Sequence, residues 1–107
     1  MMQFLIITKQ ASPPPPEMVV PLIEAMKGWV AEHRASGRML HVWAFAGIGG
    51  GGGVLEVDSH EELDNIMAGF PFQPFSTIDV LALSDLDASL DGYLAAVQRM
   101  MSMLAPS

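Results

Sequence analysis

Four short β-rich runs, each fenced by strong breakers, leave this chain few ways to fold. The first is Phe4-Leu5-Ile6-Ile7-Thr8, followed by four consecutive prolines at 13–16. Such a run, ending in a stiff polyproline connector, reads as a buried strand. In residues 17–36, Met18, Leu22, Met26, Trp29, Val30 and His33 recur at three- and four-residue steps. That spacing predicts an amphipathic helix, with Gly37 as its stop. Pro21 lies inside it, so the helix either starts near Val20 with Pro21 in its first position or starts at Pro16 and kinks. Residues 39–47 predict a second strand, in which His41, Trp43 and Phe45 alternate with Leu40, Val42, Ala44 and Ala46. Both sets are largely apolar, so this strand is expected to be covered on both sides. Five glycines at 49–53 then lie in or near a hairpin connection to a third strand at 53–57. Ser59-His60-Glu61-Glu62 has the form of a capping box, opening a helix that carries Leu63, Ile66, Met67 and Phe70. Pro71 and Pro74 make a rigid loop, and residues 77–83 a fourth strand. Ser84 or Asp85 then caps a final helix with Leu86, Leu90, Leu94, Val97 and Met101 on one side.

The order β-α-β-β-α-β, with one extra C-terminal helix, is the split βαβ of the ferredoxin-like α+β class. A four-stranded antiparallel sheet of this kind carries both crossover helices on one face. The other face is left partly apolar and bare, which suits closure of two sheets into a dimer. The length, 107 residues, suits a single domain spanning 1–107. Half of the residues are hydrophobic and only 16% charged. So small a globule has much surface for its volume, and subunit contact or an apolar pocket is where the excess is expected to go.

Charge and composition exclude several classes of function. Five basic residues stand against 12 acidic ones, which leaves no basic patch for nucleic acid or an anionic membrane. Lys9, Lys27, Arg34 and Arg38 come early, and the next basic residue is Arg99. The nine acids between Arg38 and Arg99 read as a solvated acidic surface. Without cysteine there is no disulfide framework, thiolate metal site or cysteine nucleophile. No apolar run is long enough to span a bilayer, and the N-terminal stretch lacks the basic region of a signal peptide. A cytoplasmic protein is the expectation. The three histidines have no metal-ligand spacing, so no metal or cofactor is expected. The glycine run is followed by a strand, without Lys-Ser/Thr, so it does not suit a phosphate loop.

Three stretches, residues 37–47, 54–63 and 69–80, together resemble the muconolactone Δ-isomerase family. Gly37-Arg38-Met39-Leu40-His41-Val42-Trp43-Ala44-Phe45-Ala46-Gly47 is similar to that family's Gly-x-x-x-His-Leu-Trp-Arg-x-Ala-Gly strand. Val54-Leu55-Glu56-Val57-Asp58-Ser59-His60-Glu61-Glu62-Leu63 is similar to its next strand and helix start. The segment from Gly69 to Val80, with Phe70-Pro71-Phe72-Gln73-Pro74-Phe75, is similar to its Leu-Pro-Leu-Phe-Pro-Tyr-x-x-Ile-Glu-Val run. The resemblance implies a dimeric α+β barrel, homo-oligomers up to decamers, and cofactor-free isomerisation of a small lactone by proton transfer in a pocket between sheet and helices. It also implies acid/base residues at three places. Carried along the match, the tyrosine position falls at Gly49, the asparagine at Gly51 and the first-helix glutamate at Met26. The family's proton-transfer set is thus replaced, which points away from muconolactone itself.

Among the residues that remain, His41 is the candidate acid/base, because an imidazole exchanges protons near neutral pH. Asp79 on the fourth strand is its candidate partner. His33 suits the surface or an interface, and His60, in the first turn of the second helix, suits a solvated position. Met26, Trp43, Phe45, Gly49, Gly51, Phe72 and Phe75 are the candidate pocket lining, with the glycines read as an emptied wall that admits a bulkier ligand. Met100, Met101 and Met103 suit an interface or core filling. The reading that results is a muconolactone isomerase-like, cofactor-free isomerase or cyclase acting on a cyclic apolar small molecule and working as a homo-oligomer. The alternatives are a non-catalytic small-molecule-binding or oligomerisation module, and a cofactor-independent monooxygenase of aromatic substrates.

Overall fold

The structure, a computed structural model, describes residues 1–105. Strand β1 (Met2–Gln10) leads through a 3-10 turn at Pro16–Met18 into helix α1 (Val19–Ala35). Pro21 is the third residue of α1. That position lies between the two starts the sequence suggested. It is tolerated because a first-turn N–H has no partner inside the helix. Strands β2 (Met39–Ala44) and β3 (Gly50–Val57) follow, then helix α2 (His60–Ala68), strand β4 (Ser76–Leu83) and helix α3 (Leu86–Leu104).

The four strands form one antiparallel sheet in the order β2-β3-β1-β4. This is the α+β, split-βαβ arrangement expected from the element order. Phe4, Ile6, Met39, Leu55, Val57, Leu63 and Ile66 form the core between the sheet and the helices. Ser59 caps α2, its Oγ accepting from the Glu62 N–H at 3.1 Å. The Glu62 carboxylate does not return to the cap as a full capping box would have it. Its Oε1 lies 2.8 Å from Arg38 Nε, and Arg38 also holds Asp58 at 3.2 Å. The start of β2 is thereby tied to the start of α2.

Two expectations need correction. The glycine run lies mostly beside the connection and not in it: Gly49 is in the bend, but Gly50, Gly51, Gly52 and Gly53 are the first half of β3, paired with β1 on one side. Gly51, Gly52 and Gly53 also pair with β2 on the other. Strand β2, moreover, is covered on one face only, because His41 and Trp43 are exposed.

Helix α3 stands off the body. Asp85 caps it, accepting from the Ala88 N–H at 2.9 Å, and none of its residues is buried. The radius of gyration is 19.2 Å, where a compact chain of this size has about 13 Å. Leu86, Leu90, Leu94, Val97 and Met101, the expected apolar stripe, all face solvent. Among the described residues no helix is long and apolar enough to cross a membrane.

Candidate functional site

One irregularity in β2 decides what reaches the site. Met39 pairs with Leu55, but His41, not Leu40, pairs with Val54. The extra residue is a β-bulge, and beyond it every side chain changes face. Met39, Val42 and Ala44 therefore share the face that looks toward the helices. His41 and Trp43 are turned to the opposite, free face.

On the helix side lies a cavity of about 340 Å³, within the usual range for small-molecule sites. Strand β1 contributes Ile6, Thr8 and Gln10 to its wall, and α1 contributes Met26 and Trp29. Met67 of α2, Phe70 and Phe72 of the following loop and Ser76 of β4 close the remainder. The aromatic side is a connected stack. Trp29 lies 5.4 Å from Phe70 and Phe70 lies 6.4 Å from Phe72, centroid to centroid. The Trp29 indole is fixed by donating from Nε1 to the Ile66 carbonyl at 3.2 Å. Among the described residues no Asp, Glu, His, Lys, Arg or Tyr lines the cavity.

The floor is bare backbone at residues 49–53, flanked by the side chains of Met39, Val42 and Leu55. These glycines do more than vacate space. A Cβ on Gly50 would fall against the Thr8 carbonyl oxygen, and one on Gly51 against that of Trp43. On Gly52 it would come within 2.8 Å of the Trp43 indole. Gly50 also has φ +130°, a conformation that favours glycine. The glycines thus let β1, β2 and β3 approach closely, and the wall is as thin as a strand can be.

Of the residues singled out from the sequence, Met26, Gly49, Gly51 and Phe72 border this cavity, and Trp43 also meets it although the register turns its side chain to the free face. Three of these, Met26, Gly49 and Gly51, are the positions to which the resemblance carried acid/base residues. Phe45 and Phe75 are half-buried outside the lining. Phe45 donates its N–H to the Gly50 carbonyl, and the Phe75 carbonyl accepts from Ala11.

His41 and Asp79 do not reach the cavity. The register places both on the free face, but on opposite edge strands. Three strand spacings put them about 14 Å apart or more, so they make no pair within one chain. His33 lies edge-on to Trp29 at 5.2 Å and His60 edge-on to Phe4 at 5.8 Å, neither in the site. Among the described residues no three His, Asp or Glu side chains converge as a metal-ligand set. Sequence reasoning missed Thr8, Gln10 and Ser76. Their signal was the register itself, since even-numbered residues of β1 share one face.

A four-stranded split-βαβ sheet with its crossover helices on one face defines an α+β, ferredoxin-like class of fold. Within that class, residues 2–88 match the family of muconolactone delta-isomerases, and the chain belongs to that family. The Muconolactone Delta-isomerase of Acinetobacter baylyi is 33% identical over 58 residues, 54% of this chain and 60% of that protein. This chain thus matches less than two thirds of that relative's length. A solved muconolactone isomerase superposes with TM-score 0.72 at 24% identity, over 78% of this chain and 90% of the other. The 5-chloro-2-hydroxyhydroquinone dehydrochlorinase of Burkholderia phenoliruptrix AC1100, solved with 2,5-dihydroxybenzoquinone, superposes with TM-score 0.59 at 17% identity. That match covers 81% of this chain and 98% of the other.

Proposed function

We propose that this chain is a family member that binds an uncharged, cyclic, mostly apolar small molecule in the sheet–helix cavity. The observation that carries this reading is a wall of Trp, Phe, Met and glycine backbone with no ionisable side chain. Burying an unpaired carboxylate against such a wall is costly. Muconolactone carries a carboxylate, so it fits this cavity poorly. The same wall offers no acid or base for proton transfer from within one chain, which favours binding over isomerisation. Calorimetric titration with 1-methylnaphthalene, 1-naphthol and 1-naphthoate tests this. The two neutral probes bind, the anion binds at least tenfold more weakly, and Met26→Trp, which fills the cavity, abolishes binding. Naphthoate binding as tightly as the neutral probes, or neutral binding indifferent to Met26→Trp, would contradict it.

A second reading keeps proton transfer, with His41 and Asp79 as acid/base pair and orienter on an isomerase or cyclase of the same ligand class. The observation favouring it is that both lie on the free sheet face at its two edges. A second copy laid on that face, in a homo-oligomer, is what would bring one edge to the other. The exposed apolar residues Leu81 and Trp43 on that face support such a contact. The chain has no cysteine, so the test is clean. His41→Cys protein mixed with Asp79→Cys protein gives a mixed disulfide under mild oxidation if the edges meet. A stable dimer that gives none rules the pair out.

A further inference from the structure

One end of the cavity differs from the rest. Gln10 and Ser76 are register partners at the β1/β4 end, with side chains on the cavity face, and both line it. Directly opposed side chains on neighbouring antiparallel strands start about 5 Å apart at Cβ. An amide and a hydroxyl so placed can reach one ligand atom together. Neither side chain has a hydrogen-bond partner among the described residues. Thr8, next along β1 on this face, has already committed its hydroxyl hydrogen to the Gly51 carbonyl at 3.3 Å. The Gln10 amide lies against Gly49, in space that a side chain there would occupy. The opposite wall, with Met26, Trp29 and Phe70, presents rings and thioether, its one indole N–H being spent on Ile66.

We infer that the Gln10–Ser76 end is a subsite for an uncharged oxygen substituent on the ring: a ketone or lactone carbonyl, or a phenolic hydroxyl. Gln10 Nε2 and Ser76 Oγ donate to a carbonyl oxygen. For a phenol, Gln10 Oε1 accepts the hydroxyl hydrogen and Ser76 Oγ donates to its oxygen. The ring then points toward Trp29 and Phe70, so two polar side chains orient a ligand that the apolar wall merely encloses. With no cation at this end, a carboxylate gains hydrogen bonds but no opposite charge. The inference rests on the reading that the cavity holds a cyclic apolar ligand.

The test is the ratio of dissociation constants for 1-naphthol and 1-methylnaphthalene, which share a ring system and differ in O–H against CH3. It is measured in the wild-type chain and in Gln10→Ala, Ser76→Ala and the double variant, each checked for folding by circular dichroism. Each single change is expected to shift the ratio against naphthol by about threefold, and the double change by about tenfold, with methylnaphthalene binding nearly constant. A ratio unchanged in the double variant, while Met26→Trp still blocks both probes, overturns the polar subsite and leaves the apolar cavity standing. If neither probe binds the wild-type chain, or Met26→Trp blocks neither, the cavity reading fails and the subsite fails with it.

Discussion

The two faces of the sheet are built from the same strands and have opposite characters. Toward the helices lie Phe4, Ile6 and Leu55, all buried, and a cavity free of ionisable groups. Away from them lie Leu5, Ile7, Val54 and Leu81 with His41 and Asp79 among them, on a surface that none of the described elements covers. One face holds a site made by shape and the other holds the groups capable of acid/base chemistry. The cavity and the candidate residues His41 and Asp79 thus lie on opposite faces: the bulge in β2 turns His41 away, and the register of β4 on β1 does the same for Asp79.

The largest test of that contrast is truncation of matched leucines. Leu55→Ala, at a side chain 1% exposed, is expected to cost about 2–5 kcal/mol in urea unfolding. Leu81→Ala, at 51% exposure, is expected to cost about 0.5 kcal/mol or less at a dilution where the chain is monomeric. Equal costs would mean that the free face is packed within one chain. The next largest separates two glycines. Gly51→Ala forces a Cβ onto the Trp43 carbonyl and is expected to lose about 1–3 kcal/mol by the same measurement. Gly28, inside α1 with open space where a side chain would be, is expected to gain about 0.5–1 kcal/mol as alanine. The smallest concerns how α2 is held over the cavity. Ser59→Ala removes the cap to Glu62 and is expected to lower stability by about 1 kcal/mol. Ser59→Asp, which restores an acceptor at that position, is expected to recover most of it.

Much of the fold was legible because its signals were redundant. The apolar steps of α1, the Ser59 cap and the breakers at 13–16 and 71–74 all pointed to one element order. The site was legible only in part, for three physical reasons. The bulge at Leu40 leaves no trace in a strand that is apolar on both faces, so plain alternation turned His41 and Trp43 toward the helices. Glycine has low strand propensity, so a run of five suggested a loop. Here pairing on both sides holds most of the run in a strand. The apolar stripe of α3 predicted its helix correctly but could not say that the helix stands off the body with none of its residues buried. Met26, Gly49 and Gly51, taken from the resemblance, do surround the cavity. The polar pair Gln10 and Ser76 required the register between β1 and β4, which no local pattern carries.

The most direct measurement is amide and indole chemical-shift mapping of the ¹⁵N-labelled chain titrated with 1-naphthol. The expected result is a set of shifts at the Trp29 indole N–H, Gly51, Gly52, Gly53 and Phe70, with His41, Asp79 and Leu81 unmoved. Shifts confined to His41, Asp79 and Leu81 would put the ligand on the free face and contradict a binding site between sheet and helices.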